Sequence, residues 1–522
     1  MSVFRARPVV SAIAITGLVA ACSTGSGSDT GKTGPVKQGG TLRYALFYAP
    51  SCLDPQQAGE GPDLGVLESL TAQHPETGAV VGSLATKWTV DAKATTFTFQ
   101  LRPGVTFSDG TALTASVVKQ NFDTIRKLGS TASHGGAYLA ALKSVDTPGP
   151  RTVVIRFTEP NAQFLQATSS SALAIQSPAS LRRSAGERCG GKVIGTGPFV
   201  VDSYQPNQRI VVRKRPAYNW APAFTAHRGP ARLDKIEATI VTNDTTRTGS
   251  LLSKQFDVVS KVTPQDEPRV SSAGYVIRSR TDPGVVLSLW PNEKRPVLRD
   301  PAVRVAISKA IDRKQLVDTL YTEHYKPATS VLSSTTPGYV DLSAALRYDP
   351  QGAMRDLDAA GWKPGPDGIR RKDGRPLTVD VIFGLPQGLE LVQQQLKKVG
   401  IGLTLRQLSI SELQAQFASG NYDFFLGNST RADPDILRTL FGGFTLSGAD
   451  ATSLRQQLRT QAATLEKAPR QRAVTAAQRG LVDQAHDIPI TELAEVVGAS
   501  PSVHGLAFDA DASLSFYDAW LS

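Results

Sequence analysis

The chain has 522 residues, 40% hydrophobic and 20% charged, which suffices for two or three domains with real cores and excludes disorder throughout. Its net charge of +11 sets 57 Lys and Arg against 46 Asp and Glu, a mixed surface and not the basic tail of a nucleic-acid binder. Three cysteines exclude a disulfide-dense scaffold and a multi-cysteine zinc site, and six scattered histidines make no His-rich metal centre.

The N-terminus reads as an export signal. Arg5 and Arg7 precede an uncharged run from Val9 to Ala21, too short for the roughly 20 residues that span a bilayer but suited to the apolar part of a signal peptide. Residues 1–21 are therefore expected to be removed. Leu18-Val19-Ala20-Ala21-Cys22 resembles a bacterial lipobox, in which the cysteine becomes the lipid-bearing first residue. This predicts anchoring at the outer face of the cytoplasmic membrane. Residues 22–37 are rich in Gly, Ser and Thr without apolar period, the composition of a flexible tether. Gly31-Lys32-Thr33 imitates the end of a phosphate-binding loop, but Ser26 stands where that loop begins and no strand precedes it. Of the remaining cysteines, Cys52 and Cys189 pair as a disulfide in an oxidising compartment or stay as two buried thiols.

Further along, Phe97, Phe99 and Leu101 alternate with polar residues, as do Val153, Ile155 and Phe157, predicting half-buried strands. Asp300-Pro301 is a cap followed by a first-turn proline, and Val303, Ala306, Ile307, Ala310 and Ile311 then recur at helical spacing. Asp349-Pro350 opens another helix, with Ala353, Leu357 and Ala360 on its apolar face and Gly361 at its end. A β-α-β unit follows. Leu377 to Phe383 reads as a strand, Leu389 to Val399 as a helix stopped by Gly400, and Ile401 to Leu408 as a returning strand. Mixed α/β architecture with ligands at strand ends is the expectation.

Motifs in register along the body carry a family resemblance. They include Gly39-Gly40-Thr41-Leu42, Leu53-Asp54-Pro55, Leu67-Glu68-Ser69-Leu70, Gly82-Ser83-Leu84-Ala85-Thr86-Lys87-Trp88 and the run from Phe97 to Gly110. Gly195-Thr196-Gly197-Pro198-Phe199, Asp300-Pro301-Ala302-Val303-Arg304, Ala359-Ala360-Gly361-Trp362, Tyr422-Asp423 and Asp518-Ala519-Trp520 continue the series. Together they resemble the family 5 extracellular solute-binding proteins of ABC importers, which include dipeptide-, oligopeptide- and nickel-binding proteins. The resemblance implies an α/β, two-lobed periplasmic-binding-protein fold of type II, cluster C-like. Lobe I would span 38–275 with an extra subdomain at about 68–188, lobe II 276–488, and residues 489–522 would return to lobe I. It further implies a monomer without cofactor or metal. Such a protein captures a ligand by hinge closure and delivers it to permease subunits and their ATPases.

Site residues also come from the resemblance. The loop after the Tyr-Asp strand would contribute Gly427, Asn428, Ser429, Arg431 and Asp433. Peptide-binding members carry a tryptophan after the glycine and an aspartate for the peptide ammonium. Here Asn428 takes the tryptophan's place and Arg431 falls near the aspartate, which would favour an anionic ligand. Asp433 is either the ammonium's partner or a helix cap. From the first lobe, Tyr48, Glu60 and Asp63 are candidates, and Trp290 stands near the crossover; ordinary loop or packing roles compete for each. A di- or oligopeptide is the expected ligand. The alternatives are a nickel complex, an oligosaccharide, an anionic solute, or a scaffolding or regulatory role at the cell envelope. No G-x-S-x-G or H-E-x-x-H motif supports an enzyme, and no basic-aromatic platform supports nucleic acid.

Overall fold

A computed structural model describes residues 36–58, 62–384 and 388–522, so the expectations for the signal segment, Cys22 and Glu60 lie outside the described residues. Lys37–Ser522 form one compact unit. The alternating strands are present as Thr96–Leu101 and Thr152–Phe157, antiparallel, with Phe97 opposite Ile155 and Phe99 opposite Val153. With Ala85–Val90 and Leu142–Gly149 they make a four-stranded sheet. The amphipathic helix Ala115–Leu128 contributes buried Val118, Phe122 and Ile125 to the same core, so period-2 and period-3.6 patterns meet in one cluster.

Among the described residues, two larger sheets organise the remainder. Seven strands form the first, drawn from residues 41–281 and from Ala494–Ala499. Its Thr41–Leu46 runs parallel to Lys235–Ile240 and to Val258–Val259. Six strands form the second, all between Gly284 and Glu492. The β-α-β unit sits there: Thr378–Phe383 pairs in parallel with Gly402–Gln407 across the helix Leu389–Lys398. The two proline-opened helices begin as their sequences dictate. Asp300 Oδ1 accepts from Ala302 N at 3.0 Å and Asp349 Oδ1 from Gly352 N at 2.7 Å, satisfying otherwise orphaned donors.

The chain passes between the sheets at two neighbouring places. Val276–Thr281 pairs with Ala494–Ala499 in the first sheet, and Gly284–Pro291 pairs with Ile488–Glu492 in the second. Passage therefore occurs at Asp282-Pro283 and at Leu493, where Asp282 N donates to Leu493 O at 2.9 Å.

Several family motifs are packing devices. Asp54 is fully buried and accepts from Gln56 N, Gln57 Nε2 and Gln176 Nε2, while Arg188 Nε donates to it at 2.7 Å. Cys52 and Cys189, disulfide-bonded, tie the same two segments together. Gly195 and Gly197 lie so near the backbone of 65–66 that a Cβ would meet Val66 O at 2.0 Å and Gly65 O at 2.2 Å. Tyr422-Asp423 forms a reciprocal clasp, with Asp380 N donating to Asp423 Oδ2 and Asp423 N to Asp380 Oδ1.

Truncating the buried acid leaves Arg188 without its counter-charge. Asp54→Ala is expected to destabilise the protein by about 3–5 kcal/mol, read as a lowered denaturation midpoint in urea.

Candidate functional site

The hairpin of Thr71–Gln73 and Val80–Gly82 carries a turn closed by Gly78 N donating to His74 O and His74 N to Ala79 O. That turn reaches the stretch of chain that builds the second sheet. Gln73 Nε2 donates both to Gly78 O at 2.9 Å and to Ala432 O at 3.1 Å, and a Cβ on Gly78 would meet Pro337 at 2.8 Å. Arg280, at the end of the strand leading to the first passage, donates from Nη2 to Pro75 O at 2.5 Å. Between these parts lies a recess of about 120 Å³, walled by the turn residues 75–78, by Arg280, by Thr335-Thr336-Pro337, and by Ala432 and Ala510.

The electrostatics of this region are set by acids from three distant stretches. Asp63 and Asp511 are open to water, and Asp509 is half-buried. The surrounding protein mass nevertheless holds the Asp63 carboxyl up at about 6, against the pull of a hydrogen bond from Gly65 N. Burial pushes Asp509 well above the usual carboxylate range, with the negative charges of Asp63 and Asp511 adding to it and Arg280 opposing. At the passage itself, burial raises Asp282 to about 6 despite nearby Lys261, which pairs with Glu495 at 3.0 Å. Burial also depresses the guanidinium of Arg280, and Asp511, Asp509 and Glu76 counter that loss. The half-buried Asp509 carboxylate, held above its normal pKa, lacks part of its solvation, and a cation supplies what is missing. Among the described residues, no group of three or more His, Cys, Asp or Glu could hold a metal ion. The arrangement suits an ammonium group beside the acids and an anionic group beside Arg280.

The residues expected from sequence scatter around this recess. Tyr48 is half-buried against the first core beside Phe47, and Asp63 joins the acids. Trp290 is 6% exposed and stacks on Phe425 at 5.4 Å, so it belongs to a core. Gly427 lies under that indole, where a Cβ would be 2.8 Å from Trp290 Cζ3. Asn428 is exposed and Ser429 half-buried, both within the strand Phe424–Thr430. Arg431 lies over the Tyr138 ring at 4.9 Å and donates to Thr439 Oγ1 at 3.0 Å. Asp433 pairs with Arg470 at 2.7 Å and accepts from Asp435 N at 2.8 Å, so its carboxylate is already occupied. Arg280, Asp282, Asp509 and Asp511 escaped sequence reading. Their available signal was the Asp509-Ala510-Asp511 spacing within the segment expected to return to lobe I.

The family model for bacterial extracellular solute-binding proteins, family 5 (middle region), matches residues 79–448. The chain belongs to this family of solute-binding proteins. A Brucella ovis protein named for ABC transporter peptide binding is 29% identical over 338 residues, 63% of this chain and 60% of that one. The chain thus aligns with less than two thirds of that relative's length. The glutathione-binding protein of Escherichia coli O1:K1 is 27% identical over 339 residues, 64% of this chain and 62% of its own. In fold, this family 5 chain matches NikA from Brucella suis, solved with Fe(III)-EDTA, at a TM-score of 0.80 and 22% identity over 92% of this chain and all of that one. It also matches the dipeptide-binding protein of Pseudoalteromonas sp. SM9913, solved with Met-Leu, at 0.76 and 18% with the same coverage. No helix among the described residues is long and apolar enough to cross a membrane.

The raised carboxyls have a stability consequence of definite sign. Asp63 and Asp282 bind protons more tightly folded, at about 6, than their ordinary 3.8, so their contribution is present at low pH and is lost as pH rises through 6. The ligand-free protein is expected to melt higher at pH 5 than at pH 7.5 on their account. Asp63→Asn with Asp282→Asn should flatten that difference in a melting series.

Proposed function

We propose that the protein is the extracytoplasmic capture subunit of an ABC importer and closes its two lobes on a ligand bearing a free ammonium group, most simply a di- or oligopeptide. The carrying observation is the recess with Arg280 and Ala510 in its wall, where Asp509 and Asp511 act on Arg280 and Asp63 in turn acts on Asp509. Acids and a guanidinium side by side complement a zwitterion better than a plain anion. The names of the Brucella ovis and Escherichia coli relatives agree with this reading.

In this reading lobe I is residues 38–281 and 494–522, lobe II is 284–492, and the paired strands at Asp282 and Leu493 act as the hinge, a few residues from the boundaries expected at 275–276 and 488–489. Arg431 serves closure, not ligand charge: its guanidinium lies on Tyr138 of the inserted subdomain, with Gln73 to Ala432 as a second cross-lobe tie. Ligand contacts made by both lobes at once would shift the population toward the closed form. Closed, the monomer would dock on its permease, held near it by lipid on Cys22.

The first test uses peptides. A free-amine dipeptide series is expected to raise the melting temperature, N-acetylation to abolish that effect, and Asp509→Asn to weaken binding roughly tenfold or more. Affinity should fall between pH 7 and pH 5 as Asp63 takes up its proton. If Asp509→Asn bound free-amine peptides like the parent, the ammonium assignment would be wrong. The anchor is tested separately. Cys22→Ser should move the protein from the membrane fraction to the soluble one, and retention would remove the anchor from the scheme.

A further inference from the structure

Gly82, at the base of the hairpin whose turn lines the recess, also begins the wall of a second cavity of about 310 Å³. Arg102, just after the strand Thr96–Leu101, and Arg228, in the loop between Arg209–Lys214 and Lys235–Ile240, both line it, with Thr86, Asn219 and Trp220. None of these residues belongs to the interlobe recess.

Both arginines are fixed by only part of their donor sets. Arg102 donates Nε to Ser83 O at 2.9 Å, and Arg228 donates Nη1 to Pro222 O at 2.9 Å and to Ala221 O. Among the described residues, neither pairs with a carboxylate, and the Asn219 amide makes no hydrogen bond. The acids that reach this region are committed. Glu68 accepts from Thr196 Oγ1, Tyr218 OH and Trp220 Nε1 at 2.7–2.9 Å. Asp518 binds His227 Nδ1 at 2.6 Å and Ala226 N at 2.9 Å.

The frame is stiff. His227 stacks on Tyr517 at 4.3 Å, Tyr517 OH donates to Gly229 O at 2.7 Å, and the buried Arg215 guanidinium lies over Trp220 at 5.0 Å. Two guanidiniums without counter-ions, held by an ordered loop and a strand end, offer forked donors and a double positive charge to one oxyanion. The volume exceeds a bare ion and reaches the roughly 300 Å³ at which pockets begin to hold organic ligands.

We propose that this cavity is an oxyanion site that takes a phosphate group between Arg102 and Arg228, with Asn219 as a third donor. The phosphate belongs either to a dissolved ester or to the headgroup of an anionic lipid.

The test titrates inorganic phosphate into the full chain at constant ionic strength, with chloride as compensating salt, followed by calorimetry and thermal shift. Saturable binding is expected, weakened roughly tenfold or more in Arg228→Gln. Arg228 is exposed, but that variant loses the bonds to Ala221 and Pro222, so it is compared at matched melting temperature. Arg102→Gln also loses the Ser83 bond and is compared at matched melting temperature. A phosphate response equal to that of chloride, or unchanged phosphate affinity in Arg228→Gln, overturns the proposal. Given phosphate binding, the source is read with Cys22→Ser protein and phosphatidylglycerol vesicles. Cosedimentation competed by phosphate and lost in Arg228→Gln assigns the headgroup, and absence of cosedimentation assigns the dissolved ester.

Discussion

Two adjacent strands carry the chain between its sheets, and the rest of the structure is arranged around that double passage. Each crossing strand is hydrogen-bonded to the other on both sides of the junction, as Val276–Thr281 with Ala494–Ala499 and then Gly284–Pro291 with Ile488–Glu492. All eight residues of Gly284–Pro291 are buried, which anchors the joint in the second sheet. At the junction only Asp282, Pro283 and Leu493 lie outside the ladders. The hinge proposed above rests on that joint, where few backbone bonds are free of the ladders. It also carries Arg280, in the wall of the recess, and Asp282 at the junction itself.

Local chemistry made much of the fold legible. The helices after Asp300 and Asp349 declare themselves by cap, proline and apolar period, all within a dozen residues. The β-α-β unit is likewise confined to about thirty residues and reads almost to its observed limits. The family resemblance supplied the two-lobed plan, which no local pattern contains.

The site was less legible, for a geometric reason. In one dimension Trp290 and Gly427 are candidates for ligand contact, with packing the competing role for Trp290. In three, strand alternation puts Phe425 and Gly427 on the face that Trp290 covers, and the indole needs a glycine beneath it. Asp433 reads as cap or anchor, with the cap favoured, and the partner it takes, Arg470, lies far along the chain on a helix without a distinguishing motif. The acids of the recess come from residues 63, 282 and 509–511, a convergence that only long-range folding creates. The raised pKa values of Asp63, Asp282 and Asp509 belong to that convergence too, because burial and mutual repulsion arise after assembly and not in any segment alone.

The delivery of Asp509 and Asp511 by the short hairpin Ala507–Phe508 with Leu514–Ser515 has a temporal meaning. Ribosomes make these residues after every strand of both sheets. A growing chain can therefore close the passage at Leu493 while Asp509 and Asp511, and with them Leu514, Phe516, Tyr517 and Ala519 of the first core, are still missing. The last pieces of the first core and two of the acids that act on Arg280 thus arrive together. A prematurely terminated copy would lose both at once, packing as well as charge.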